Sequence, residues 1–246
     1  MKSLKLKIPI VLTLVAIGIA VSFTSCKKHL FNSIKGKGET VTETRNLSGF
    51  NKISLSINAD VIYVQDSVYF VEISAQQNVL NVITTEINAG NLKIESSRWI
   101  RKHDGIKIKI HSPDLRAMDL SGSGNMESSS DILTTGLELN VSGSGNITLA
   151  SVHSNELEVK ISGSGNISVS SGEVTNQKAT ISGSGNVKMS DLTANNSDAK
   201  ISGSGSISIW AVDQLKATIS GSGDIRYKGN PIVNTNISGS GSVIHI

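Results

Sequence analysis

Ser162-Gly163-Ser164-Gly165-Asn166 is the phrase that decides the fold. Its Ser-Gly-Ser-Gly core begins at residues 121, 142, 162, 182, 202, 220 and 238, in steps of 21, 20, 20, 20, 18 and 18. A fixed period near 20 residues belongs to a solenoid, in which each unit buries its apolar face only against its neighbours. An apolar residue precedes each phrase: Leu120, Val141, Ile161, Ile181, Ile201, Ile219 or Ile237. Another follows it: Met126, Ile147, Ile167, Val187, Ile207, Ile225 or Val243. Further out, Leu157, Val159 and Ile161 alternate with Glu158 and Lys160. Period two is a strand with one buried face. Each repeat therefore reads as two short strands, one glycine-rich corner and one looser corner such as Ala150 to Asn155.

A helix fits poorly, since two glycines per repeat would each cost about 1 kcal/mol in a helix interior. Two packed antiparallel sheets fit the alternation alone. Successive repeats match in the same direction, however, and identical units stack in register. The fold expected is an all-β, right-handed parallel β-helix with coils of 18 to 21 residues, the hand following from the preference for right-handed parallel crossovers. Gly143, Gly145 and Asn146, Gly163, Gly165 and Asn166, and Gly183, Gly185 and Asn186 are read as structural turns. Glycine reaches positive φ without strain, and stacked Asn side chains can form a hydrogen-bonded ladder. Four residues before each phrase stand Glu138, Glu158, Lys178, Asp198, Lys216 and Asn234. Stacked about 4.8 Å apart, they alternate in sign from Glu158 onward. Only Glu138 beside Glu158 opposes the register.

Residues 41–119 lack the phrase but alternate as strands do, as in Ile53, Leu55 and Ile57 or Ile106, Ile108 and Ile110. They are expected to form irregular coils that cap the stack, as the terminal units of a solenoid must. The repeat unit proper is then 120–246. Residues 1–25 read as a secretory leader: Lys2, Lys5 and Lys7 precede an apolar run from Ile8 to Phe23, and Ser25 precedes Cys26. The layout resembles a bacterial lipoprotein signal, which implies lipid attachment at Cys26 and an outer-membrane lipoprotein facing either the surface or the periplasm. Cys26 is the sole cysteine, so no internal disulfide can form. Residues 26–40 read as a tether. Three of the 23 lysines and arginines lie in the leader, leaving 20 basic against 20 acidic residues. The basic balance of the whole chain thus gives no support to nucleic-acid binding.

Leu47-Ser48-Gly49-Phe50-Asn51-Lys52-Ile53, Asn78-Val79-Leu80, Gly90-Asn91-Leu92-Lys93-Ile94, Pro113-Asp114-Leu115 and the repeated phrases occur in that order. Together they resemble the autotransporter adhesin head GIN domain family, over residues 42–246. The resemblance implies a β-helical fold and a secreted or envelope location, and brings no active-site residues with it.

No reaction centre emerges from the residues. The glycine phrases lack the following helix of a phosphate-cradling loop. His29, His103, His111, His153 and His245 make no paired-ligand spacing. No cofactor or metal is expected. Glu156 and Glu158 could pair as glycosidase carboxylates, but a solvated charged face accounts for them. One stretch suits a ligand: Arg98-Trp99-Ile100-Arg101-Lys102-His103, read as a loop. Trp with Arg and Lys can stack on and ion-pair with acidic glycans or lipopolysaccharide phosphate. The competing reading folds Trp99 back onto the cap. Trp210 reads as a second outward aromatic.

The leading expectation is a non-enzymatic, lipid-anchored envelope protein for adhesion or for recognition of a glycan or cell-surface protein. A periplasm-facing structural or assembly protein is the second, since the exposed final strand Val243 to Ile246 invites end-to-end self-association. A polysaccharide-active enzyme is the third, on fold analogy alone.

Overall fold

The computed structural model describes residues 33–246. The leader expected at 1–25 and the lipid attachment expected at Cys26 lie outside the described residues. The repeats form a parallel β-solenoid with coils of about 20 residues and about six turns. Like residues stack on like. Ile161 pairs with Ile181, then Ile201, Ile219 and Ile237 follow in one row. A second inner row tapers from Ile53 through Met118, Leu139 and Val159 to Ala179, Ala199 and Ala217. Apart from Ile237 in the last coil these side chains are buried, with Ile53, Leu139 and Ala217 fully enclosed. The apolar alternation read from the sequence thus becomes one continuous core.

The looser corner is not a break. Asn146–Gly163, Asn186–Gly203 and Ser206–Gly221 each run as unbroken strands around it. Neighbouring coils bend together, so ladder bonds survive the bend: Asp131, Ile132 and Leu133 pair with Ser151, Val152 and His153. At the glycine corner the backbones approach much closer. Gly183 has φ +146°, and Ser184 N and Gly185 N both donate to Gly163 O, at 2.9 and 3.1 Å. A Cβ on Gly185 would meet Gly165 O and lie 2.7 Å from Ile161 Cγ2.

The expected asparagine ladder forms along this corner. Each Nδ2 donates to the Oδ1 one coil earlier, from Asn186 to Asn166 (2.9 Å), Asn146 (2.8 Å) and Asn125 (2.9 Å). Asn125 then donates to Asp60 Oδ1 (2.8 Å), and Ser206 Oγ donates to Asn186 Oδ1 (2.7 Å). The charge row also has the expected register. Lys178 meets Glu158 at 2.9 Å and Lys216 meets Asp198 at 3.6 Å. The misfit of Glu138 beside Glu158 is resolved by Lys160, which reaches both, at 2.9 and 3.1 Å.

The N-terminal half extends the stack, out of chain order. Lys52–Leu55 and Asp60–Gln65 form a coil sandwiched between two others. Above it lie Ala117–Leu120 and Asn125–Leu133; below it lie Asn91–Ser96 and Lys107–Ser112. The end below is closed by antiparallel strands. Phe70–Gln76 pairs with Lys107–Ser112, and Ile83–Asn88 pairs with Asn91–Ser96. A single helical turn, Gln77–Leu80, links these closing strands and buries Val79 and Leu80. Thr40–Thr44 adds an outer antiparallel strand on Phe70–Gln76. Residues read from sequence as tether are therefore docked in part: Ser33–Lys35 also pairs, with Trp99–Lys102.

Candidate functional site

The candidate site arises where the lowest coil departs from its neighbours. In the coil above, Ser56 N bonds Ile94 O (3.0 Å) and Asp60 N bonds Ile106 O (2.9 Å). The residues between 94 and 106 thus occupy the place of a corner. Instead of a tight Ser-Gly-Ser-Gly turn, the chain makes a long excursion. Along it, Trp99–Lys102 is a short strand, a correction to the loop read from sequence. The alternation explains the strand: Ile100 and its register partner Ile34 turn inward onto the core, while Trp99 and Arg101 stay exposed. Asn78 anchors the partner strand Ser33–Lys35, accepting from Lys37 N (2.9 Å) and donating to Lys35 O (2.7 Å). The excursion closes through Gly105, φ +108°, whose N–H donates to His103 Nδ1 at 3.1 Å. Gln76 Nε2 holds Asp104 at 2.7 Å.

Between this excursion and the first glycine corner runs a groove of about 1150 Å³. Arg98, Trp99, Arg101 and His103 line one wall, and Ser56, Asn58, Ser121 and Ser123 the other. Ile57 and Ile106 form an apolar floor. Trp99 is 61% exposed, so it does not fold wholly onto the cap. Of the sequence candidates, Arg98, Trp99 and Arg101 gather at the groove, while Lys102 is exposed outside its lining. The serine wall escaped sequence reasoning. Ser56-Ile57-Asn58-Ala59 holds the register of Ser121-Gly122-Ser123-Gly124 as a degenerate corner, which shows only once the coils are stacked.

Trp210 alternates with buried Ile209 and Ala211 and so faces outward as expected, but it is half-buried, with Lys228 Nζ 5.8 Å from its ring centroid. The lysine covers the ring and is itself held by Asp191 at 2.7 Å. Glu156 and Glu158 lie on the outer face of the stack. Hydrogen bonds from Lys178 and Lys160 hold the Glu158 carboxyl below its ordinary value, and Lys160 does the same for Glu138. Asp66, bonded to His111, is held down as well. A general acid needs the opposite shift. Among the described residues, no three His, Cys, Asp or Glu side chains cluster to hold a metal ion.

Residues 49–231 match the family described as "Putative auto-transporter adhesin, head GIN domain". The chain belongs to this family. Solved structures agree over nearly the whole length of their chains. A "putative adhesin" from Bacteroides fragilis NCTC 9343 is 25% identical, with TM-score 0.83 over 87% of this GIN-domain chain and 100% of its own. A "putative lipid binding protein" from Parabacteroides distasonis ATCC 8503 is 28% identical, with TM-score 0.71 over 87% of this chain and 99% of its own. A "putative adhesin" from Parabacteroides merdae ATCC 43184 is 25% identical, with TM-score 0.72 over the same shares. No curated protein matches this sequence. At a coarse level, adhesion and a cell-envelope or surface setting fit the GIN-domain chain.

Proposed function

We propose that this GIN-domain chain is a non-enzymatic adhesion protein of the cell envelope, carried on a lipid at Cys26 and facing outward. Its groove beside Trp99 grips a saccharide bearing carboxylate, sulfate or phosphate. The observation that carries this reading is the meeting of Arg98, Trp99, Arg101 and His103 with a wall of serines and Asn58 over an apolar floor. An aromatic face stacks on the apolar face of a sugar ring, guanidinium forks take up anionic oxygens, and hydroxyls and amides bond to sugar hydroxyls. The coiled body supports the groove as a rigid mast, and the names of the solved relatives favour adhesion over catalysis. The lowered pKa of Glu158 also makes it ill-suited as the general acid of a glycosidase pair.

Retention on immobilised heparin, against neutral dextran, tests the site. The parent is retained on heparin alone. Trp99→Ala and the double variant Arg98→Ala/Arg101→Ala each weaken binding about tenfold, the scale of one lost stacking or bidentate contact. Variants that bind as the parent does would refute the site. A periplasm-facing assembly protein remains the second reading, and the open C-terminal coil favours it.

A further inference from the structure

The two ends of the stack differ in kind. At the N-terminal end, Phe70–Gln76 and Ile83–Asn88 close the coils with antiparallel strands. At the C-terminal end, Ile232–Gly239 pairs with Ser206–Gly221 and with no other described strand. All eight of its residues are exposed. Leu215 and Ile219 are 1% and 0% exposed one coil earlier; their successors Val233 and Ile237 are 37% and 44% exposed. Ile232, Ile244 and Ile246 add apolar surface around the same end.

We propose that this coil pairs with the same coil of a second copy, strand Ile232–Gly239 antiparallel to itself about a two-fold axis. The charge pattern selects that occupant. The row Glu138, Glu158, Lys178, Asp198 and Lys216 ends on Asn234, and the row holding Lys160 and Lys200 ends on Asn236. Edge strands are ordinarily protected by charge, most often lysine. This one loses its charges at the coil where an edge would need them. A strongly charged partner finds nothing to pair with, whereas an identical neutral edge does. A register centred on Thr235 sets Val233 opposite Ile237 on the core side, twice. It sets Asn234 opposite Asn236 on the outer side, also twice, so both faces are self-complementary. A contact about a two-fold axis is isologous, so it closes as a dimer instead of growing into a filament. The grooves proposed above then lie at the two far ends, and the dimer gains by bivalency on a multivalent surface. The dimer itself does not depend on what those grooves bind.

The test is sedimentation velocity of the full chain in mild detergent over a range of concentrations, with two variants. Asn234→Lys/Asn236→Lys places like charges across the pair without touching the core. It raises the dimer dissociation constant by about tenfold or more, with an unchanged far-ultraviolet spectrum. Thr235→Cys in a Cys26→Ser background forms an intermolecular disulfide on mild oxidation, and Ser208→Cys in the same background does not. A monomer at every concentration, a dimer indifferent to the two lysines, or no cross-link at 235 overturns the proposal. Such a monomer that still binds heparin leaves the groove reading intact, and a dimer without heparin binding does the reverse.

Discussion

Gly185→Ala probes the closeness on which the glycine corner depends. The new Cβ would meet Gly165 O and lie 2.7 Å from Ile161 Cγ2, well inside ordinary van der Waals contact. Neither neighbour can step aside. Gly165 O accepts from Asn186 N, and Ile161 is 1% exposed in the inner row. The coils must part locally, stretching the ladder on both sides. Overpacking of this kind costs about 1–3 kcal/mol, and the weakened corner bond places this site at the upper end. Gly136→Ala is the control, because its Cβ would lie 3.8 Å from Glu156 Cβ, an ordinary contact. That change is neutral, or stabilising by about 0.5 kcal/mol through the unfolded chain. Urea unfolding followed by far-ultraviolet circular dichroism separates them. With a slope of about 2–3 kcal/mol/M, Gly185→Ala lowers the midpoint by about 1 M and Gly136→Ala leaves it in place. Midpoints are the quantity to compare, since stacked repeats need not unfold as one unit. A Gly185→Ala midpoint within about 0.2 M of the parent, on the same slope scale, would refute the close stacking.

Asn166→Ala removes one ladder bond on each side of the residue and leaves half-buried partners on Asn146 and Asn186. It costs about 1–2 kcal/mol in the same urea assay. Lys160→Ala leaves Glu138 facing Glu158 without their shared cation. The pair is well exposed, so the cost is about 0.5 kcal/mol at low salt and shrinks as salt rises. The folded pKa values of Glu138 and Glu158 are depressed. The stability they lend is therefore whole above the ordinary value of 4.5 and lost as pH falls through the folded values. A pH series of urea midpoints should fall less steeply below pH 4.5 in Glu138→Gln/Glu158→Gln than in the parent.

The repeat half was legible because one phrase recurs with its flanks. Period gave the coil, alternation the inner rows, and the Asn and charged positions the ladder register. The N-terminal half was legible only as strands. No phrase marks the coil at 52–65, so nothing in the sequence says that it lies between 91–112 and 117–133. That order is set by long-range pairing. For the same reason the groove was half visible. Arg98, Trp99 and Arg101 are contiguous and conspicuous, whereas Ser56, Asn58, Ser121 and Ser123 join them only once the coils stack. Trp99 to Lys102 read as a loop because its strand partner, Ser33–Lys35, comes from a polar segment without alternation.

Adhesion requires that the groove face outward, so protease shaving of intact cells is the decisive measurement. Protease is expected to remove the solenoid from unbroken cells, and Cys26→Ala to release the protein from the membrane fraction. Survival of the protein until the outer membrane is opened would contradict adhesion and turn the search toward periplasmic partners.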